Sequence, residues 1–512
     1  MNTHHLRARL LFGLPVLFLA VAAYVQFGAM LNHDVAWYLV SAERMLNGGS
    51  YRMDFFEINL PHVVAIHIPP YLLSRVSNIV LPDATRIWVF LLAAQGIALT
   101  LIVRRWHPRP LIEQPYLPFW LSWLVIGFLV SPGYNLGQRE HLMVILATPF
   151  LFMLLQSEAQ GFRVIRIYIT ALAAVGFYLK PHFAFLPFLL LGVSAYREGS
   201  WRRLLTPDLG VLLVVGGVLA LWLIASYPDW FRVSVWTLDL YGSYGNLSWK
   251  SLLRSRVPIV GACLLGLLAL SVNRNFRDQA WPLLTAGVYA CLAFLLQMKG
   301  WKYQFLPVVL FAFIASGLAV AWASHAVRRK ETHATLKFAI AGAIAFILAR
   351  EAVTDSSSVR RAWTIQYDPV AQALHTTSDS DKVFVFATEM YPAFPALVHL
   401  DLKWGSRYST LWPLPRLLYA LLDVESDSSI RLVEDYWEPF VTSLAEDFAR
   451  YKPRRVLVDL KEFTSVLPRD KDIVSVFLSN PDFAAQWQHY ESLGDVRGYR
   501  VYQRIEKSDS PD

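Results

Sequence analysis

NHDVAWYLVSAERMLNGGSYRMDFFEINLP, residues 32–61, directly follows the first long apolar segment, and the reading of the whole chain turns on it. Val35, Tyr38, Leu39, Ala42, Met45 and Leu46 recur at helical spacing, with Ser41, Glu43, Arg44 and Asn47 on the other side. That pattern describes a short helix lying in a membrane interface. Gly48-Gly49 ends it, and Tyr51 to Asn59 then sets Arg52, Asp54, Glu57 and Asn59 among aromatics before Pro61. A carboxylate, Asp34, thus stands where the chain leaves the membrane, which is where a lipid-borne substrate has to be handled.

Working outward, the composition excludes an ordinary soluble protein: of 512 residues, 55% are hydrophobic and only 17% charged. A net charge of +8 raises nucleic acid as a partner, but the basic residues fall mostly between apolar segments, as cytoplasmic loops require, and no nucleic-acid partner is expected. Cys263 and Cys291 lie inside apolar runs, so neither a structural disulfide nor a thiolate metal site is expected. Residues 1–30 combine a basic start (Arg7, Arg9) with an apolar core of about twenty residues, the length of a spanning helix. Ala20-Val21-Ala22 has the form of a cleavage site, yet losing this segment would detach Asp34 from the membrane, and a retained helix is expected.

Further spans are predicted near 84–103, 117–130, 140–156, 166–179, 182–196, 209–226, 257–272, 281–297, 303–325 and 336–350. The segment 60–80 is apolar but broken by Pro61, Pro69-Pro70, His62, His67 and Arg75. Reading it as re-entrant or interfacial gathers Arg104-Arg105, Arg202-Arg203 and Arg328-Arg329-Lys330 in the cytoplasm, and this gives eleven spans. Beyond about residue 351 the hydropathy collapses. Strand patterns at 382–387 and 455–459, helical patterns around 415–422 and 436–451, and a last strand at 498–505 describe a soluble α/β domain. The expected architecture is a polytopic α-helical membrane protein of about eleven spans, residues 1–350, with its first external loop at 32–83. A soluble extracytoplasmic α/β domain occupies residues 351–512.

This topology collects polar residues on the external face: Asp34, Asp54 and Glu57; Gln138-Arg139-Glu140-His141; Lys180 and His182; and Lys299, Lys302 and Tyr303. Positive charge outside contradicts the sorting rule, and anion binding accounts for it. A cluster of Arg139, His141, Lys180, His182, Lys299 and Lys302 would stabilise a phosphate leaving group, although a single lysine at a helix end also snorkels to headgroups. Glu140 opens a span, where the helix dipole favours a carboxylate; an Arg139 ion pair is an equally simple role. Asp34 suits two roles, N-cap of the interfacial helix and general base toward an acceptor hydroxyl. Trp230, Trp236, Tyr241, Tyr244 and Trp249 form either a sugar platform or an interfacial aromatic belt.

The first loop, HDVAWYLVSAERMLNGGSYRMDFFEINLP, resembles the first external loop of the C-type (GT-C) membrane glycosyltransferases, in particular the protein O-mannosyltransferase and lipid A aminoarabinose transferase group. The resemblance covers about residues 1–350. It implies that Asp34 is the catalytic carboxylate and that Glu140, in Gln138-Arg139-Glu140-His141, is the second acidic residue, near the acceptor or a divalent cation such as Mg or Mn. Histidine follows Glu140 where that family often has aspartate. The implied activity is sugar transfer, inverting, from a polyprenyl-phosphate donor to an extracytoplasmic glycan, lipid or protein, at the outer face of a bacterial inner membrane. A lipid-linked sugar flippase would share the spans and cations but calls for broken mid-membrane helices and repeated halves, which the chain lacks. A glycan polymerase or ligase would use a large external loop, for which 227–256 is the candidate.

Overall fold

The computed structural model describes all residues except 1–2, 107–115, 156–162, 242–246, 358–364, 366–367, 375–380, 424, 462–471 and 506–512. The chain divides into two compact units. One comprises Met1–Ala29, Thr85–Leu221 and Gly245–Arg360; the other comprises Met30–Ala84, Trp222–Tyr244 and Arg361–Asp512. The division does not follow a single cut near residue 350. The stretch expected to be the first external loop belongs to the same compact unit as the C-terminal chain.

The first unit is a helical bundle built on Lys302–Arg328, whose apolar residues are buried on every side. Around it lie Arg139–Met153, Val257–Leu270, Arg274–Gln297 and Ala334–Ser357. Close approach needs a residue without a side chain: a Cβ at Gly317 would stand 2.5 Å from the Trp123 ring. Trp123 instead stacks on Phe313 at 4.5 Å and donates its indole N–H to the Phe313 carbonyl. Pro207–Ser226 is the opposite case, apolar all round yet exposed, with Val214, Val218 and Leu221 each more than half accessible. A helix of that kind belongs in lipid. Among the described residues, four helices are long and apolar enough to cross a membrane: Leu81–Trp106, Pro207–Ser226, Arg274–Gln297 and Lys302–Arg328. Several others expected to span are shorter. Arg139–Met153 and Arg163–Phe177 have 15 residues each, about 22 Å against a hydrocarbon core of about 30 Å. The first helix, Thr3–Phe27, is held within this unit by Gln26, whose amide donates to the carbonyls of Leu129 and Gly133.

The second unit carries a five-stranded sheet of order β2-β1-β3-β5-β4, from β1 (Lys382–Phe386), β2 (Lys403–Trp404), β3 (Arg455–Asp459), β4 (Tyr490–Val496) and β5 (Tyr499–Arg504). β1 runs parallel to both β2 and β3, while β5 is antiparallel to β3 and β4. Phe384 and Phe386 of β1 meet Phe448 of the Glu438–Tyr451 helix, and Phe386 also meets Phe483 and Trp487. This aromatic cluster is the core under one face of the sheet.

In the same unit, residues 33–46 form the expected helix. Residues 60–80 form two short helices, Pro61–Ala65 and Ile68–Ser77, neither of which reaches the ~20 residues of a membrane crossing. One expectation is corrected. The N-cap of the 33–46 helix is Asn32, whose side-chain oxygen accepts from the N–H groups of Asp34 and Val35; Asp34 itself sits in the first turn. Asn32 precedes the helix in an extended conformation and so can fold its side chain back onto the first turn.

Candidate active site

In the helical unit, the chain approaches the Arg139–Met153 helix through a 3-10 turn at Gly133–Asn135 and an extended Gln138. All fifteen residues of this helix are buried, its charged start included. Glu140 in the first turn is favoured by the helix dipole, whereas the Arg139 cation opposes it. Arg139 therefore answers to something other than helix stability. Lys180 comes from a different place: the Arg163–Phe177 helix ends just before it, and Pro181 drives the residue ahead of it into the extended conformation observed. Its ammonium meets the Glu140 carboxylate in an ion pair. Arg139 Nε lies 4.0 Å from the other carboxylate oxygen.

Tyr303 completes the group. Gly300 turns the chain with a positive φ of 69°, and a Cβ there would stand 2.2 Å from Leu247, so only glycine fits this turn. The turn delivers Trp301, Lys302 and Tyr303 to the start of the Lys302–Arg328 helix. Lys180 Nζ lies 5.2 Å, and the Arg139 guanidinium 5.9 Å, from the centre of the Tyr303 ring. Two buried cations thus share one fully buried carboxylate under an aromatic face. An anion brought against two buried cations of this kind is stabilised strongly.

The remaining candidates of this unit lie differently. His141 is fully buried and uses both ring nitrogens internally, Nδ1 accepting from Gly137 N–H and Nε2 lying 2.6 Å from the Phe128 carbonyl oxygen. His182 is half-buried, its ring against Phe183, and its carbonyl accepts from the Tyr289 hydroxyl. Lys299 lies over the Trp301 ring at 5.9 Å, and Lys302 is exposed. The structure therefore brings together Arg139, Glu140, Lys180 and Tyr303, and leaves Lys302 toward solvent.

In the other unit, Asp34 is 15% exposed at the start of its helix, with His33 Nε2 3.5 Å from its carboxylate. Glu57 is buried between the Trp37 indole N–H and the backbone N–H of Asn59. Asp54 accepts from Ser50 N–H at 2.8 Å and pairs with Arg450 at 2.7 Å. Both carboxylates hold the loop's own shape. Trp230 donates to the Asn59 carbonyl, Trp236 stands edge-on to Phe56, Tyr241 to Trp412, and Trp249 is exposed; Tyr244 lies outside the described residues. Two residues that the sequence reading passed over matter here: the cap Asn32, and Arg44, whose partners are more than 300 residues away. The capping preference of asparagine ahead of an apolar helix marks the first, while no local signal marks the partners of Arg44. Among the described residues, no three His, Cys, Asp or Glu side chains gather as a metal site would require.

Comparison with known proteins gives a fold. No protein-family model matches the chain, and no curated protein matches it. Two solved structures of ArnT from Cupriavidus metallidurans do, over 97% of this chain and 99% of theirs. The structure bound to undecaprenyl phosphate has a TM-score of 0.53 at 14% identity, and the apo structure 0.54 at 13%. The chain therefore has the ArnT-like fold, that of a polytopic helical membrane protein, over 97% of its length.

Proposed function

We propose that this chain is a membrane glycosyltransferase that takes a sugar from a polyprenyl-phosphate carrier and gives it to an extracytoplasmic acceptor. The observation that carries the reading is the pair of buried cations, Arg139 and Lys180, sharing the Glu140 carboxylate below Tyr303. A phosphate ester there meets both cations, which stabilise it as it departs. The fold similarity supports the same donor, since ArnT has been solved with undecaprenyl phosphate bound.

Asp34 is the base in this reading: it takes the proton of the acceptor hydroxyl as that oxygen attacks the anomeric carbon, and the lipid phosphate leaves from the opposite face. Attack of that kind inverts the configuration. Glu140 holds Lys180 and Arg139 in place, and Tyr303 covers them. Lys299, Lys302 and His182 belong to the approach of the donor. Arg104, Arg202 and Arg328 are cytoplasmic in the eleven-span arrangement, and the site faces outward from the inner membrane of a bacterium.

The test measures transfer from a labelled polyprenyl-phosphate sugar by the purified protein, together with binding of undecaprenyl phosphate. Lys180→Gln should weaken donor binding by about 1–3 kcal/mol, the cost of one charge-assisted bond. Unchanged donor binding and transfer in Lys180→Gln would remove the cluster from the site. Translocation of the lipid without sugar transfer would make the chain a flippase.

A further inference from the structure

The polar side of the 33–46 helix, which in the sequence reads as a face toward headgroups, is met by protein. Arg44 points its guanidinium into the C-terminal domain, where Nη1 donates to the Ser406 carbonyl and Nη2 to the Trp404 carbonyl, both at 2.6 Å. Nη1 also donates to the Asp54 carbonyl of its own loop. The Tyr451 ring covers the group at 5.3 Å. One fork therefore joins the helix, the turn that follows it, and the strand β2 with its following residues.

The domain reaches back. Lys403 pairs with Glu43 at 3.0 Å, and Arg450 with Asp54 at 2.7 Å. The Arg407 carbonyl accepts from Phe56 N–H at 2.7 Å, and Arg407 itself is fixed by Asp447 and Glu446. Nearer the start of the helix, Trp37 stands edge-on to Phe394, and just before it Leu31 N–H donates to His399 Nε2. Ionic and backbone contacts of this kind, made by residues separated by about 350 positions, fix a loop rather than merely cover it.

We propose that Arg44 is a positioning residue for the transfer reaction: its guanidinium locks the rotation of the 33–46 helix against the C-terminal domain, and so sets where Asp34 points. The contacts of Leu31 and Trp37 locate the helix, but neither grips it like a planar fork with several acceptors. A side chain on a helix ends roughly 6 Å from the axis, so a rotation of about 10° carries the Asp34 carboxylate about 1 Å. Misplacement of that size is enough to cost up to about a hundredfold in rate. The C-terminal domain is on this account part of the catalytic apparatus. This inference rests on Asp34 being the base.

The experiment uses the full-length protein in detergent and three variants: Arg44→Met, Arg44→Lys, and the domain-side pair Lys403→Glu with Arg450→Glu. The last leaves the loop sequence untouched and sets like charges against Glu43 and Asp54. Hydrogen exchange of residues 33–47 reads the clamp, and kcat and donor KM read the reaction. Arg44→Met should speed exchange and lower kcat at least about tenfold, with donor KM within about twofold. Arg44→Lys should fall between it and the wild type, and the domain-side pair should follow Arg44→Met. An unchanged kcat in Arg44→Met despite faster exchange would overturn the inference alone. A fall in activity that only tracks the loss of donor-binding protein would do the same, because it marks a folding role. Absence of sugar transfer by the wild type would instead defeat the functional reading.

Discussion

Two buried charge clusters in this molecule have opposite balance. At the start of the Arg139–Met153 helix, two cations face one carboxylate. In the C-terminal unit, Arg407 faces two carboxylates, Asp447 and Glu446, and Asp447 also accepts from the Ser406 hydroxyl and the Arg407 backbone N–H. Burial pushes the Asp447 carboxyl above the ordinary aspartate range, while Arg407 pulls it back. Every oxygen of Asp447 has a donor, so the network determines shape. The Arg139 cluster sets two cations on one carboxylate, and that opposite balance is what the proposed site draws on.

The largest expected effect breaks the scaffold. Asp447→Ala strands the 3%-exposed Arg407 with a half-exposed partner, and loss of one member of a buried pair costs about 3–5 kcal/mol. Unfolding of the purified protein, followed by denaturant titration, should move accordingly. Lys180→Gln keeps a hydrogen-bond donor beside Glu140 and leaves Arg139 facing it, so its unfolding midpoint should move less than that of Asp447→Ala although donor binding falls. Equal destabilisation by both variants would erase the distinction between the clusters.

The next effect belongs to Asp34. With the cap on Asn32, Asp34→Ala and Asp34→Asn should both keep the helix, and both should lose turnover by at least about a hundredfold if Asp34 is the base. Donor binding should survive in each. Near-normal turnover in either variant would send the search for a base elsewhere, and Glu57 and Asp54 are poor successors because their oxygens already hold the loop.

Sequence periodicity carried the local elements well. The helix at 33–46, the strands at 382–386 and 455–459, and the helices at Leu414–Leu422 and Glu438–Tyr451 stand where the apolar pattern places them. β4 escaped because it is largely exposed, and β2 because two residues have no period. The sites were legible as residue types but not as partners. Glu140 and Lys180 are 40 positions apart, and Arg44 and Trp404 are 360. A polar helix face looks the same in sequence whether it meets headgroups or a folded domain. For the same reason His141 read as a ligand for phosphate, although its ring nitrogens are spent inside the helical unit.

The smallest effect is the most discriminating for the loop. The sequence offered Asp34 as the cap; in the structure the N-cap is Asn32, two residues earlier, whose side chain accepts from the N–H groups of Asp34 and Val35. Asn32→Ala should therefore weaken the 33–46 helix by about 1 kcal/mol, and Asn32→Ser should restore it, serine capping about as well as asparagine. Hydrogen exchange at Val35 and Ala36 reads this directly, with roughly a fivefold faster rate for each kcal/mol lost. Turnover should fall far less than in Asp34→Asn, because the helix remains held by Arg44 and by the Trp37 contact with Phe394. A full loss of turnover in Asn32→Ala that serine does not rescue would mean that Asn32 itself takes part in the reaction. Slower exchange in Asn32→Ala than in Asp34→Ala would return the cap to Asp34 and with it the original ambiguity between capping and catalysis.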